Sequence, residues 1–580
     1  MNWYRRERES NMARLVVDPV TRIEGHLRIE AQVDGGKISD AWSAGTMFRG
    51  IELILQKRDP REAWIWAQRI CGVCTVVHAL ASVRAVENAL QIEVPENARI
   101  VRNLIAGSQL VQDHVIHFYH LHALDWVDVT LALKADPAKT SQLAQSISDY
   151  EKSSAVYFKG VQNRVKALVD SGQLSLFTSG YWGHPAYNLP PEANLLAVAH
   201  YLEALTWQRD FIRLHAVLGG KNPHPQTFLV GGMATAMDPN EPFAVINPER
   251  IGFLRDLVRG AKKFVEQVYI PDVLAVAGFY KDWFTRGEGV GNFLSYGDYP
   301  SGDQTSADAF LFPRGIVLGR DLAKVHPVDP TQITESVSHA WYEYSDGDKP
   351  KYPYDGETNP KYSGPKPPYE LLDVDKKYSW LKSPRYQGLP MEVGPLARMV
   401  VGYAAGQKDI KAAVDAVLKH FSAPPSVLFS TLGRIAARAI ETQLMAAQLE
   451  RWVDDLDSNL AHGKVAICNT TKWDPGSWPA SSRGFGWHEA PRGSLGHWVE
   501  IEGKAIKNYQ AVVPTTWNAG PRDAQGQRGA YEASLINTPV ADPNRPLEIL
   551  RTIHSFDPCI ACAVHVIDAQ GRDYSVLKAG

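Results

Sequence analysis

Two C-x-x-C pairs, one near each end of the chain, constrain its fold more than any other feature. Cys71 and Cys74 stand in the segment RICGVCTVVH, and Cys559 and Cys562 stand in DPCIACAVH. Four thiolates suit zinc, iron–sulfur clusters, copper(I) or nickel, and spacing alone favours structural zinc. Small zinc modules, however, collect their ligands locally, whereas most of the chain separates these pairs. We therefore expect a site that the complete fold assembles. A thioredoxin-like redox pair is an alternative, although no βαβ pattern accompanies either pair.

The composition excludes several classes of protein. Hydrophobic residues make up 44% and charged residues 22%, as in ordinary globular proteins. A net charge of −3 offers no basic surface for nucleic acid. The five cysteines are too few, and odd in number, for a disulfide framework, and we expect Cys468 to be a core residue. No apolar run reaches the roughly 18–20 residues that span a bilayer. The charged start lacks the apolar region of a secretory signal, so the chain alone is expected to be soluble and unable to export itself.

Hydrophobic periodicity predicts an α+β fold that is mainly α, with a large multi-helical body and a peripheral N-terminal β-hairpin. Residues 14–43 alternate apolar and polar side chains around an Asp-Gly-Gly turn, which is typical of a hairpin. The Pro- and Gly-rich residues 343–369 predict a surface loop, with a partner-facing arm as the alternative. Residues 463–565 predict short strands and turns. Without repeats or linkers, we expect a single domain over residues 1–580. Helical spacing predicts helices near residues 60–71, 76–90, 97–126, 142–170, 191–218, 248–268, 395–421 and 431–460.

Seven segments, in order along the chain, resemble motifs of the large subunit of nickel–iron hydrogenases. A further segment, WGHPAYNLPPEANLLAVAHYLEAL, resembles the membrane-associated respiratory uptake branch of that family. The resemblance implies the large-subunit fold and the heterolytic, reversible oxidation of H2 to protons and electrons. The seven segments are RIEGH (22–26), RGIE (49–52), RICGVCTVVH (69–78), GGKNPHPQ (219–226), EAPRGSLGHW (489–498), VVPTTWN (512–518) and DPCIACAVH (557–565).

The same resemblance implies a nickel–iron centre carrying one carbon monoxide and two cyanides. Cys71 and Cys559 would be terminal ligands of nickel. Cys74 and Cys562 would bridge nickel to iron. Metal coordination would keep these thiols deprotonated. A magnesium ion, for which oxygen ligands are suited, would be held by Glu52, the main-chain carbonyl of Ala511 and the side chain of His565.

Further residues acquire roles by this resemblance. From the residues alone, Glu24 is a surface or helix-capping carboxylate; by resemblance it would take the proton from Cys559, within hydrogen-bond reach. Arg492 would lie over the open metal position, flanked by Asp113 and Asp557, because a buried charge requires a partner. Pro514 and Leu495 would line the diatomic ligands, and Thr515 would donate to a cyanide. His78 would support a bridging sulfur.

Three other histidines leave alternatives open. His224, in the segment NPHP, is either a polar neighbour of the metal centre or a structural residue. His114 and His117 are three residues apart and can share a helix face as metal ligands. No nearby cysteine or third carboxylate supports that interpretation, so Asp113 is the residue of interest in this segment.

The cysteine count also predicts a partner, because it leaves none for electron-transfer clusters beyond the active site. The resemblance implies an iron–sulfur small subunit in a heterodimer, a membrane cytochrome b, a maturation endopeptidase and nickel-insertion proteins. The complex would lie on the periplasmic side of the membrane. Residues 566–580 would be a propeptide removed after His565, which favours an enzyme over a hydrogen sensor. The related quinone-side subunit of respiratory complex I is an alternative, but it lacks these thiolates. A structural zinc protein is another alternative, which metal analysis would distinguish by finding zinc in place of nickel and iron.

Overall fold

The structure, a computed structural model, describes residues 13–560 except 173, 175–176, 179, 301–309 and 366–369. Cys562, His565 and residues 566–580 lie outside the described residues, as does the end of the loop expected at 343–369. No helix within the described part is long and apolar enough to cross a membrane.

Helices are the main regular structure of the molecule, as the periodicity predicted. The helix expected over 97–126 is α4 followed by a π-helical segment, His117–His122, and α9 likewise continues into Val265–Tyr269. The stretch expected over 142–170 is two helices. The helices are α1 (Ile51–Leu55), α2 (Ala63–Ala67), α3 (Val77–Leu90), α4 (Glu96–Ile116), α5 (Pro137–Ile147), α6 (Ala155–Asp170), α7 (Pro191–Phe211), α8 (Arg213–Gly219), α9 (Pro248–Phe264), α10 (Ile270–Phe279), α11 (Pro395–Ala404), α12 (Lys408–Phe421), α13 (Thr431–Ala461), α14 (Pro514–Ala519), α15 (Ala530–Leu535) and α16 (Leu547–His554).

The centre of the helical body is α4, which is buried on nearly every side. Buried polar side chains on α4 are hydrogen-bonded, as Arg102 is to Glu87 and Gln109 to the Val73 carbonyl. Helix α4 packs against α13, and α13 in turn packs against α9. Gly107 permits the close crossing of α4 and α13, because a Cβ there would lie 2.7 Å from Sδ of Met445. One continuous hydrophobic core runs from Leu55 to Cys559, so both ends of the sequence contribute to the same interior.

Two three-stranded antiparallel sheets flank this body, in the orders β1-β2-β3 and β10-β11-β12. The first confirms the expected hairpin and packs through β3 on α15. The second lies on α3. The strands are β1 (Ala13–Val17), β2 (Leu27–Asp34), β3 (Lys37–Gly45), β4 (Phe228–Leu229), β5 (Gly232–Met233), β6 (Phe293–Pro300), β7 (Phe310–Val317), β8 (Ile333–Ser336), β9 (Ser383–Tyr386), β10 (Ser481–Ala490), β11 (Gly493–Glu502) and β12 (Ala505–Val512).

Three expectations need correction. Residues 463–565 are not only short strands and turns, because β10 and β11 have ten residues each. The loop at 343–369 is not wholly a surface loop, since Tyr344 and Thr358 are each only 5% exposed. Cys468 is not a core residue: it is half-buried and forms an isolated bridge with Gly232. Its segment lies at the surface and is held there by main-chain hydrogen bonds, from the Met233 amide to the Ile467 carbonyl and from the Asn469 amide to the Gly231 carbonyl.

Candidate metal centre

Three cysteine sulfurs from opposite ends of the chain meet in the core. The Sγ atom of Cys559 lies 3.3 Å from that of Cys71 and 3.8 Å from that of Cys74. The three residues are 2%, 4% and 1% exposed, in the order Cys71, Cys74 and Cys559. The separations are far longer than the ~2.05 Å of a disulfide bond. Among the described residues, this is the one group of three His, Cys, Asp or Glu side chains that converges as metal ligands would. Converging soft thiols of this kind suit a metal ion.

Local structure explains how each cysteine reaches the site. Cys71 ends a 3₁₀ turn, Gln68–Ile70, and Cys74 precedes α3. The amide of Cys74 donates to Sγ of Cys71 at 3.2 Å, which closes the C-x-x-C turn. Cys559 follows α16, and its own amide donates to Oγ1 of Thr515 at 3.2 Å. A hydrogen bond within each part of the chain therefore fixes the sulfurs on both sides of the group.

Glu24 is held beside Cys559 by its main chain. The two residues form an isolated parallel bridge. The amide of Glu24 donates to the Pro558 carbonyl at 3.3 Å, and the amide of Ile560 donates to the Glu24 carbonyl at 2.8 Å. As a result, Oε2 of Glu24 lies 3.3 Å from Sγ of Cys559. Glu24 is half-buried, whereas the sulfur it contacts is buried.

A buried arginine with two carboxylates forms another wall. Arg492 lies in the two-residue turn between β10 and β11, since Ala490 pairs with Gly493. Its guanidinium donates to Oδ2 of Asp113 at 3.1 Å, to Oδ1 of Asp557 at 2.9 Å and to the Asp557 carbonyl at 3.0 Å. The other oxygen of Asp113 accepts from Gln109. The sequence-based pairing of these charges is therefore observed.

The charges of this group depend on one another. Burial raises the pKa of Asp113 to about 7, and Asp557 adds to the effect, while Arg492 opposes it. Burial also raises the pKa of Asp557 against the pull of Arg492. Burial disfavours the charged form of Arg492, but Asp557 and Cys559 hold the pKa of this guanidinium well above its usual range. Arg492 is thus a permanent cation facing the sulfurs.

The residues expected around the metals are buried. Pro514 begins α14, Thr515 follows it, and Leu495 lies on β11. Because the Thr515 oxygen accepts the Cys559 amide, its hydroxyl proton is available to another acceptor. Nε2 of His78 and Oδ2 of Asp557 are buried, and within the described chain neither has a hydrogen-bond partner.

The sequence analysis missed two neighbours of these residues. Nδ1 of His78 lies 3.0 Å from Nε2 of His497, and Nδ1 of His497 lies 2.6 Å from the Tyr509 hydroxyl. The only sequence signal was that His497 belongs to the segment EAPRGSLGHW. A contact between α3, β11 and β12 cannot be read from that segment alone.

Of the three histidines whose roles the sequence left open, His224 is the one that lies beside the cysteine turn. His224 has a left-handed backbone, with φ of 60°. Its Nε2 lies close to Gly72, 3.6 Å from the point that a Cβ would occupy if Gly72 were replaced by alanine. His114 and His117 do not share ligands. Nε2 of His114 contacts Glu441, whereas Nε2 of His117 lies 2.6 Å from the His554 carbonyl.

A second polar cluster contains part of the expected magnesium site. Oε1 of Glu52 accepts from the Ala511 amide at 2.9 Å, and its other oxygen accepts from Thr358. Nearby, Lys382 donates to Gln510 at 2.9 Å and contacts Glu335 at 3.5 Å. Burial raises the pKa of Glu335 to about 7 despite Lys382. The sequence analysis did not identify Glu335, Lys382 or Gln510.

Comparisons with known proteins agree with this geometry. A sequence model of the family described as nickel-dependent hydrogenase matches residues 49–565, and one described as HoxL-like matches residues 14–43. The uptake hydrogenase large subunit of Bradyrhizobium diazoefficiens is 52% identical over 579 residues and is matched over 97% of each chain. The Hydrogenase-1 large chain of Escherichia coli strain K12 is 50% identical over 574 residues, covering 97% of this chain and 96% of that protein.

Solved structures show the same architecture. The Ni-Fe-Se hydrogenase of D. vulgaris Hildenborough in the reduced state superposes with a TM-score of 0.74 at 34% identity. The match covers 96% of this chain and 100% of that one. The H2-activated [NiFeSe]-hydrogenase of Dm. baculatum gives a TM-score of 0.74 at 32% identity, with the same coverage.

Proposed function

Since the chain belongs to the nickel-dependent hydrogenase family, as the large subunit of a nickel–iron uptake hydrogenase, we propose that its converging thiols and Cys562 hold the nickel–iron centre. The donor set fits the group. Three buried sulfurs lie within 4.8 Å of one another, and soft thiolates suit nickel and iron. The two buried polar atoms without partners, on His78 and Asp557, also fit a site that receives a further group. When bound, the centre supplies the heterolytic cleavage of H2.

Glu24 is the base that takes up the proton. Its Oε2 accepts the proton from Sγ of Cys559 across 3.3 Å, a distance typical of a hydrogen bond to sulfur. Because Glu24 is half-buried, it then passes the proton towards solvent. The single observation that carries this assignment is the contact between the two side chains, fixed by hydrogen bonds on both sides of Glu24.

Arg492 supplies positive charge where negative charge collects on the sulfurs. Asp113 and Asp557 hold its guanidinium in one orientation through three hydrogen bonds. A preorganised cation in a dry site stabilises developing charge without reorganisation. Pro514 and Leu495 offer apolar surface to one carbon monoxide and two cyanides, and Thr515 and Arg492 offer donors to the cyanides.

Replacing Glu24 by Gln tests the proton transfer. The amide cannot accept the proton, so H/D exchange and H2 oxidation should fall by about 10²- to 10⁴-fold while nickel and iron content stays normal. Glu192→Gln is a matched control, because Glu192 is also half-buried but accepts from the Asp136 amide. Exchange at the wild-type rate in metal-replete Glu24→Gln protein would remove Glu24 from the pathway.

We also propose a magnesium ion held by Glu52, the Ala511 carbonyl and His565. The approach of Glu52 to Ala511 supports this, since oxygen ligands suit magnesium. Elemental analysis of purified enzyme should find magnesium, and Glu52→Gln should lower its content without removing nickel.

The chain is proposed to be one large-subunit domain with a C-terminal propeptide, residues 566–580, that an endopeptidase removes after nickel insertion. The end of the family match at residue 565 supports this boundary. Mass spectrometry of active enzyme should find a large subunit ending at His565, whereas a nickel-free pool should retain Gly580. Active, nickel-loaded enzyme with the intact tail would contradict the proposal.

The large subunit works in a heterodimer with a small subunit, as the family implies. We propose that the small subunit carries the iron–sulfur clusters and passes electrons to a membrane cytochrome b on the periplasmic side. Export would then depend on the small subunit. Periplasmic recovery of this chain expressed without that partner would contradict the localisation.

A further inference from the structure

Three buried side chains form a hydrogen-bonded chain that ends at the metal centre. His78 lies on the first turn of α3, His497 on β11 and Tyr509 on β12. Their links measure 3.0 Å between the two imidazoles and 2.6 Å between His497 and the Tyr509 hydroxyl. All three residues are at most 1% exposed. Water therefore cannot substitute for any member of the chain.

The protons along this chain run in one direction. Burial holds the pKa of His497 well below its usual value and that of Tyr509 above its own, so the imidazole is neutral and the phenol is protonated. A neutral imidazole has one donor nitrogen and one acceptor nitrogen. A buried phenol proton needs an acceptor, and within the described chain the Tyr509 hydroxyl lies within hydrogen-bond distance of Nδ1 of His497, so we assign the proton to that link. His497 must then carry its own proton on Nε2 and donate it to Nδ1 of His78.

The consequence falls on the other nitrogen of His78. With Nδ1 accepting, the single proton of neutral His78 is on Nε2. This nitrogen is buried and has no hydrogen-bond partner within the described chain. His78 follows Cys74 by four residues, and the charge of Cys71 acts on its ring.

We propose that His497 and Tyr509 are positioning residues that fix the tautomer of His78 and so present its Nε2–H to the thiolates of the metal centre. This inference rests on the proposed function, because it requires the metal-bound thiolates. Hydrogen bonding to a ligand sulfur withdraws electron density from the metals, and partners of this kind typically change metal affinity or activity by about 10- to 100-fold.

The strand pairing gives the chain its rigidity. His497 pairs with Ala511 across β11 and β12, and Tyr509 pairs with Val499. The Ala511 amide is in turn bound by Glu52. The imidazole of His497 is therefore held by strands that are fixed on both sides of the hydrogen-bonded chain.

Two substitutions of similar size separate the tautomer role from simple packing. In His497→Gln the side-chain amide can still donate to His78 and accept from Tyr509, whereas in His497→Met the donor is lost. Infrared spectra of the purified heterodimer report the metal-bound carbon monoxide and cyanides. His497→Met should shift the carbon monoxide band to lower frequency, because sulfur that loses a donor gives more electron density to iron. His497→Gln should keep the wild-type band.

Further variants complete the test. Tyr509→Phe should shift or split the band, and Tyr280→Phe is its control, since Tyr280 is buried but donates to the Trp126 carbonyl. The double variant His78→Leu with His497→Met should shift the band no further than His78→Leu alone, because His497 acts through His78. Turnover of His497→Met should fall by about 10- to 100-fold.

Several results would overturn the inference. One is an unshifted band in metal-replete His497→Met and Tyr509→Phe protein; another is an equal shift in His497→Met and His497→Gln. If His497→Met does not retain metal, Tyr509→Phe decides, because it leaves the imidazole in place. Absence of any carbon monoxide or cyanide band from the wild-type enzyme would instead refute the proposed centre.

Discussion

Arg492→Lys isolates the contribution of guanidinium geometry, because it keeps the charge and changes only the shape of the donor. The arginine makes three hydrogen bonds, two of them to Asp557 and one to Asp113. An ammonium on a flexible stem is a point charge and cannot reproduce this fork. We expect lysine to keep one carboxylate partner and to leave the other without its cation.

The magnitude follows from the lost contacts. A hydrogen bond to a charged group is worth about 1.5–3 kcal/mol. If one such contact acts in the rate-limiting step, turnover should fall by roughly one to two orders of magnitude. The carboxylate that loses its partner should also become harder to ionise. Since Arg492 opposes the effect of burial on Asp113, a lysine that stays with Asp557 should let the pKa of Asp113 rise further.

The assay is H2 oxidation by the purified heterodimer with an artificial electron acceptor, with nickel and iron content measured on the same sample. Arg385→Lys is a matched control. Arg385 is 3% exposed and bonds Asp523 and the Gln527 carbonyl, outside the metal centre. Arg385→Lys should lower thermal stability without changing the rate of H2 oxidation at a permissive temperature. Wild-type turnover in metal-replete Arg492→Lys enzyme would refute the reasoning, and an equal loss in both variants would assign the effect to stability.

The remaining predictions concern stability. Gly486→Ala should destabilise the assembled enzyme by about 1–3 kcal/mol or more, because a Cβ would lie 2.0 Å from the Ala81 carbonyl of α3; Gly252→Ala, in open space on α9, should be neutral or slightly stabilising in the same thermal unfolding experiment. Burial raises the pKa of Glu532 from 4.5 to about 7, despite Arg522. The folded state therefore binds this proton more tightly than the unfolded chain, so its contribution to stability, of the order of 3 kcal/mol, is present below about pH 4.5 and is lost as the pH rises to about 7. Glu532→Gln should remove that part of the pH dependence, and an unchanged slope between pH 5 and 7 would contradict it.

The sequence predicted the fold class well where a pattern is local. Alternating side chains identified the N-terminal strands, and helical spacing identified the long helices. The wide separation of the two C-x-x-C pairs predicted a site built by the whole fold. In the structure Cys71, Cys74 and Cys559 meet, while Cys562 lies outside the described residues. Spacing alone could not separate nickel from zinc, because thiolates suit both metals. The metal is indicated by the family.

The failures have physical causes. The strands of the C-terminal sheet contain glycines, including Gly484 and Gly486, which lower β-propensity and suggest turns. In the structure they are required, because a Cβ at either position would strike the backbone of α3. His497, Tyr509 and Glu335 were missed for a different reason. Each acts through a partner distant in sequence, and a single chain carries no signal of such a pairing.

The position of Glu24 shows why site formation and folding are coupled in this chain. Glu24 lies before the first hairpin, and Cys559 lies near the end of the described chain. Their side chains meet because main-chain hydrogen bonds join the two segments directly. The distance between sulfur and carboxylate is thus set by backbone pairing and not by a flexible side chain alone. The C-terminal segment must therefore be in place before the Glu24 carboxylate and the Cys559 thiol can meet, and a chain whose ends are still apart lacks both the proposed ligand set and the proposed path for the proton.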